Sequence, residues 1–201
     1  MPSRIKLSAA TQKHNRWLAD NTEGTQLDLK DVQLETEVVR GRGLQSAVFE
    51  NVVFDGLEFV DCDLTGASFF NCTFSACKFT KCTLHKSEFH GCVFERLRAS
   101  ECAITKTEWY GGDLRSASLA DCDLSWSYFQ SVDLRSATIA RANLEGSVWD
   151  KTKTHGAKFD AVSLGTEHPA KVSGTDLSAD GTGQNSTVSA LWVTTGRVGH
   201  A

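Results

Sequence analysis

The chain has no run of about 18 apolar residues, so no segment is long enough to read as a membrane-spanning helix. Its first residues, MPSRIKLSAATQKHNRW, lack the apolar stretch of a secretory signal peptide. No GxGxxG, P-loop, HExxH or GxSxG motif occurs. The six histidines (His14, His85, His90, His155, His168 and His200) are scattered, and none has a serine or cysteine nucleophile fixed beside it. Also missing, through most of the chain, are the two common hydrophobic periods, 3.6 for a helix and 2 for a strand. These absences argue against an enzyme and against a cofactor or metal site. They point to a cytoplasmic protein that works by binding.

What the chain does have is a period of five. From Leu29, a large residue recurs through Leu34, Val39, Leu44, Phe49, Phe54, Phe59, Leu64, Phe69, Phe74, Phe79, Leu84, Phe89 and Phe94. The series runs on through Ala99, Ile104, Trp109, Leu114, Leu119, Leu124, Phe129, Leu134, Ile139, Leu144 and Trp149, with nothing inserted or lost. It fails at Thr154 and resumes at Phe159 and Leu164. A short fixed repeat means a solenoid. We call the large residue the centre of its pentad.

The site two residues before each centre is small: Ala47, Ala67, Ser87, Ala117, Ser127, Ala137, Ala142, Ser147 and Ala157. It also holds every cysteine, namely Cys62, Cys72, Cys77, Cys82, Cys92, Cys102 and Cys122. Sharing a phase with alanine and serine, these thiols read as small core residues, reduced rather than bridged. Four lie twenty apart (Cys62, Cys82, Cys102, Cys122), and sulfurs stacked in a line cannot enclose a tetrahedral zinc.

Segments such as Cys62-Asp63-Leu64-Thr65-Gly66, Ala67-Ser68-Phe69-Phe70-Asn71 and Ala142-Asn143-Leu144-Glu145-Gly146 resemble the pentapeptide repeat family, with its pattern A(D/N)LXX. The resemblance covers roughly residues 27–164. It implies an all-β fold, a right-handed quadrilateral β-helix with four pentads to a coil, so that the 25 pentads from Leu29 to Trp149 give about six coils. Centres and minus-two residues then point inward, and residues twenty apart stack at about the 4.8 Å strand spacing. The Asp/Asn phase that holds Asp113, Asp123 and Asp133 serves turn and surface roles in the family.

On this reading residues 1–26 form a helical cap, 27–164 the β-helix, and 165–201 a Gly/Ser/Thr-rich tail. The cap helix is expected over Ser8–Asn21, with Ser8 as N-cap and Trp17 and Leu18 as its apolar contacts. Glu37 and Arg42 fall in minus-two sites, where an unpaired charge cannot be buried. Either residues 35–43 loop outward or that coil is distorted. Residues 165–188 read as a flexible tail. Residues 189–195, around Ala190-Leu191-Trp192-Val193, read as a strand or short helix that caps the last coil or joins a homodimer, since some family members dimerise through C-terminal residues.

Charge is unevenly spread. Residues 27–150 carry 19 carboxylates against 12 Lys and Arg, whereas both ends are mildly basic. An acidic rod repels nucleic acid and suits a basic groove on a protein. One outer face should show Glu50, Phe70, Glu88, His90, Glu108, Tyr110 and Tyr128, with Trp126 at a nearby corner. Acid interleaved with aromatics suits a partner-binding face. The opposite face should be flat and small at Ser118, Ala120, Thr138 and Ala140, and basic at Lys78 and Arg98. The resemblance implies a DNA mimic that binds DNA gyrase or another type II topoisomerase and protects it from quinolones or peptide poisons. The residues equally allow an interaction scaffold in a secretion or signalling assembly.

Overall fold

The structure, a computed structural model, describes residues 3–173 of the 201. Three-residue strands, each built on one centre, pair in parallel with the strand twenty residues away. One side of the rod is an eight-stranded sheet running from Asp28–Lys30 to Lys171–Ser173. A second side is a five-stranded sheet from Ser3–Ile5 to Val93–Glu95, and a third a seven-stranded sheet from Val38–Arg40 to Lys158–Asp160. The fourth side is a row of single bridges, from Gly43 with Asp63 to Asn143 with Ser163. The result is a parallel β-solenoid of about seven turns.

The core follows the five-residue rhythm. Phe49, Phe69, Phe89, Trp109, Phe129 and Trp149 form one internal column, with ring centroids 4.9, 4.7, 4.1, 5.7 and 4.2 Å apart and nearly parallel planes. Phe54, Phe74 and Phe94 form a second column. Each tryptophan centre needs a partner for its indole N–H. Trp109 donates to Thr107 Oγ1 and Trp149 to Ser147 Oγ, both at 2.8 Å, so the minus-two residue of the same pentad supplies the acceptor. At the smallest centre, Ala99, the minus-two residue is Leu97, and both are buried. Thr154, where the apolar series fails, still occupies its centre site and is 2 % exposed.

All seven thiols are buried and free. Cys62, Cys72, Cys77 and Cys92 donate S–H to the carbonyls of Val39, Phe49, Phe54 and Phe69, each 23 residues earlier. Ser87 and Ser127 make the same bond to Leu64 and Ile104. Cysteine and serine are therefore interchangeable small donors here, which explains their shared phase. Burial pushes the Cys77 thiol up to about 12.

The corners carry a signal that composition hides. Every fifth residue from Asp31 to Ala161, except Thr36, has positive φ, and most of these are not glycine. Left-handed backbone costs an ordinary residue about 1 kcal/mol or more. It persists because most corner N–H groups are tied to a carbonyl one coil on, as in Asn51 N–H to Phe70 O and Lys86 N–H to Thr105 O.

Four expectations need correction. The first concerns the helix, which spans Leu7–Ala19, with Lys6 rather than Ser8 at the N-cap. Leu7, Thr11 and His14 are its buried residues, one face at helical spacing. Leu18 is exposed, and Trp17 is half-buried and stacks on His14 at 5.4 Å. The strand Ser3–Ile5 precedes the helix and pairs with Val32–Leu34, so residues 1–26 are not helical cap alone.

The second concerns residues 35–43, which do not loop out: Val38–Arg40 pairs in register with Glu58–Val60. The distortion is confined to the corner at Thr36. Glu37 is only partly buried, and its Oε1 accepts the Ser8 N–H at 3.0 Å, capping the helix. Arg42 is exposed. The solenoid therefore uses its misplaced carboxylate to hold its own lid.

The third concerns the far end, where the solenoid does not stop at Leu164. Three residues are inserted, and Lys171–Ser173 then pairs with Val148–Asp150, with Ala170 and Val172 buried as minus-two residue and centre. The fourth concerns the length, which is about seven turns rather than six. The expected element at 189–195, with its capping or dimer role, lies outside the described residues.

Candidate functional site

The eight-stranded sheet sets its centres inside and turns the residues on either side of each centre outward. Parallel register then stacks like positions. Glu88 lies beside Glu108, and Phe70, His90 and Tyr110 follow one another in a row. The rings touch: Phe70 to His90 at 4.9 Å, His90 to Tyr110 at 5.0 Å, then Tyr110 to Tyr128 edge-on at 5.9 Å. Tyr128 reaches this row diagonally, because its own register partner is Glu108. The outcome is a continuous aromatic strip across four coils.

Each carboxylate is tied to the strip. His90 Nε2 is 3.3 Å from Glu88 Oε2, and the Tyr110 hydroxyl donates to Glu108 Oε2 at 2.6 Å. The Glu108 carboxylate beside it pushes the Tyr110 phenol up to about 12, so that proton stays on the ring. Two stacked carboxylates about 5 Å apart repel by under about 1 kcal/mol in water, and the contacts with His90 and Tyr110 hold them there.

Elsewhere on the rod six carboxylates face cations. Glu50 pairs with Lys30, Glu58 with Lys78, Glu101 with Lys81, and Asp121 with Arg141. Asp113 and Asp133 are gripped by Arg115 and Arg135. Glu88 and Glu108 have no Lys or Arg partner among the described residues. They are therefore among the carboxylates that no Lys or Arg neutralises.

The structure thus brings together Phe70, Glu88, His90, Glu108, Tyr110 and Tyr128. Glu50 adjoins Phe70 in register, but Lys30 neutralises it. Trp126 stands apart. It is 48 % exposed at a corner, over Gly146, and its ring meets His168 at 5.0 Å. A Cβ on Gly146 would come within 2.6 Å of that indole, so the glycine makes the seat. On the opposite face Lys78 is engaged by Glu58 and Arg98 is exposed. The Asp/Asn phase does turn work: Asp63, Asp113, Asp123, Asp133 and Asn143 each accept the N–H two residues on.

Sequence reasoning placed these residues on one face but did not see that His90 completes the strip; its position between Phe70 and Tyr110 at twenty-residue steps was the available signal. It also passed over a second cluster. The pentads Asp113-Leu114-Arg115-Ser116-Ala117 and Asp133-Leu134-Arg135-Ser136-Ala137 are identical and twenty apart, so they stack as a repeated pair.

No curated protein sequence matches the chain. A trypsin-treated form of QnrB1, a plasmid-mediated fluoroquinolone resistance protein, is 20% identical over 74% of this chain and 76% of its own, with a TM-score of 0.39. HetL, involved in heterocyst differentiation regulation in the cyanobacterium Nostoc sp., is 15% identical over 89% and 99%, with a TM-score of 0.24. Rfr23 from the cyanobacterium Cyanothece 51142 is 13% identical over 83% and 98%, with a TM-score of 0.31. At these values the similarity carries no argument about function. The pentapeptide repeats signature itself matches in eight copies, over residues 44–69, 58–96 and 113–146. With its five-residue period and four-sided coil, the chain belongs to the pentapeptide repeat family.

Proposed function

We propose that this solenoid is a non-catalytic docking rod for a protein, and that its partner is a type II topoisomerase, with DNA gyrase as the first to test. The acidic rod would occupy the groove that otherwise holds duplex DNA and so shield the enzyme from quinolone-like or peptide poisons. The observation that carries the reading is the outer face of the eight-stranded sheet, where Glu88 and Glu108 stand without a Lys or Arg partner beside an unbroken strip of rings. The reading puts the protein in the reducing cytoplasm, in keeping with thiols sealed in the core.

Charge density favours a refinement. A net −7 over residues 27–150, on a rod of about 30 Å, is one charge per about 4 Å, against one per about 1.7 Å in duplex DNA. Charge alone therefore imitates DNA weakly, and the aromatic strip has to supply the anchoring. That favours, as a second reading, a scaffold for another protein with a basic, ring-accepting groove. Competition separates the two. Displacement of labelled duplex from gyrase at micromolar solenoid, weakening as salt rises, supports the topoisomerase reading. No displacement up to tens of micromolar leaves the scaffold reading.

A further inference from the structure

A second site lies on another side of the rod, independent of the docking face. Where the five-stranded sheet ends at Val93–Glu95 and single bridges continue the side, an open cavity of about 470 Å³ is lined by Arg96, Arg115, Ser116, Arg135, Ser136 and His155. The arginines come from three successive coils, and His155 from a fourth.

The cavity has donors without acceptors. Arg115 gives Nε–H and Nη2–H to the Asp113 carboxylate, and Arg135 gives the same pair to Asp133. Each Asp also accepts its own turn N–H, so its oxygens are in use. The Nη1 groups of both guanidiniums, the Arg96 guanidinium and the Ser116 and Ser136 hydroxyls have no partner among the described residues. Glu95, the remaining carboxylate of the lining, accepts from Ser75 Oγ. At the far side His155 Nδ1 is buried with no hydrogen-bond partner, and an orphaned buried polar atom calls for an explanation. Arg135 also feels the like charge of Arg115 beside it.

Such a lining fits an oxyanion with several acceptor oxygens. A carboxylate offers two in one plane. A phosphate offers three or more in a tetrahedron and can be reached from successive coils about 5 Å apart. The cavity is also large enough to admit a small organic body beyond the phosphate. We propose that this groove binds a phosphate group, held by Arg115, Arg135 and Arg96, with Ser116 and Ser136 at its rim. A bound dianion relieves the repulsion between the paired guanidiniums and leaves their grip on Asp113 and Asp133 intact.

The test titrates the full chain with inorganic phosphate and, separately, with methyl phosphate. Calorimetry gives affinity, and the arginine Nε–H resonances give location. Saturable binding at millimolar or tighter, with shifts at Arg115 and Arg135, is expected. Binding of both ligands marks a site for the free ion, and binding of the ester alone a site for phosphate monoesters; either supports the proposal. Arg96→Gln should weaken binding several-fold, and the double variant Arg115→Gln/Arg135→Gln at least about tenfold, or about 1.4 kcal/mol. Arg141→Gln, which removes a comparable bidentate pair at another corner, should leave it unchanged. Circular dichroism checks that each variant keeps its coil, and Arg96, which makes no ion pair among the described residues, keeps the test independent of folding. No saturation up to about 10 mM, or equal loss in Arg141→Gln, overturns the proposal.

Discussion

Two residues on neighbouring strands give the sharpest test of which side chains face in. Phe89 is 2 % exposed, sandwiched between Phe69 at 4.7 Å and Trp109 at 4.1 Å, with Phe94 edge-on at 5.6 Å. Tyr110 lies in the next coil's strand, one residue past Phe89's register partner, and points out. Burying a phenyl ring removes about 150–250 Å² from water, which at about 25 cal/mol/Å² is about 4–6 kcal/mol as an upper bound. Phe→Ala in a core costs about 3–5 kcal/mol, least where neighbours can collapse into the gap. Here they cannot, because the backbone ladder pins the strands above and below in register. Phe89→Ala should therefore fall at the upper end, about 4–5 kcal/mol. Tyr110→Ala gives up an exposed hydrogen bond, a stacked contact with His90 and an edge-on contact with Tyr128, and should cost under about 1 kcal/mol. With a urea slope of about 2–3 kcal/mol/M, the first change lowers the midpoint by roughly 1.3–2.5 M and the second by a few tenths. Circular dichroism during urea titration reads both, and midpoints are compared because repeat arrays can unfold in pieces. Equal shifts, or a larger one for Tyr110→Ala, would refute the inside–outside assignment.

Three further expectations follow from the lid and the core. Burial lowers the pKa of His14 below its ordinary value, and its Nδ1 accepts the Leu27 N–H at 2.9 Å, an acceptor that protonation removes. The unfolded chain therefore binds the proton more readily, so the His14 contribution is complete above about pH 6.5 and is lost as pH falls through the folded value. Melting temperature should drop between pH 7.5 and 5.5, and the drop should shrink in His14→Gln. Glu37→Ala removes the acceptor at the helix start and should cost about 0.5–2 kcal/mol, with faster amide exchange at Ser8; unchanged exchange there would show that Glu37 does not cap the helix. The seven sealed thiols should be inert to a thiol reagent in the folded protein and all react in denaturant; fast native labelling of even one would contradict the buried ladder.

The period of five made the coil legible because a four-sided cross-section leaves no room for insertion between Leu29 and Trp149. The same argument mispredicted the ends. At Glu37 the rule against buried charge was sound, but the helix N-terminus that takes the carboxylate lies nearly thirty residues earlier in the chain. At Leu164 the series broke by three residues, and a spacing rule cannot see a strand that re-enters register after an insertion. The left-handed corners were invisible for a different reason: the ladder, rather than glycine, enforces them, so Lys86 and Lys106 sit where composition predicts nothing. At the candidate site the residues of the face were readable from twenty-residue stacking. Which carboxylates remain unneutralised was not, since Lys30, Lys78 and Arg141 reach their partners through side-chain conformations that spacing does not specify.

The most direct measurement is DNA supercoiling by purified gyrase with the solenoid titrated in, with and without a quinolone. Wild type would be compared with Glu88→Gln/Glu108→Gln, with Tyr110→Ala, and with Arg98→Gln from the opposite face. The account predicts inhibition or drug rescue at micromolar wild-type protein, loss of the effect in the first two variants, and its retention in the third. An effect that survives removal of both glutamates and the tyrosine ring would contradict the assignment of this face, and no effect from the wild-type protein would contradict the choice of partner.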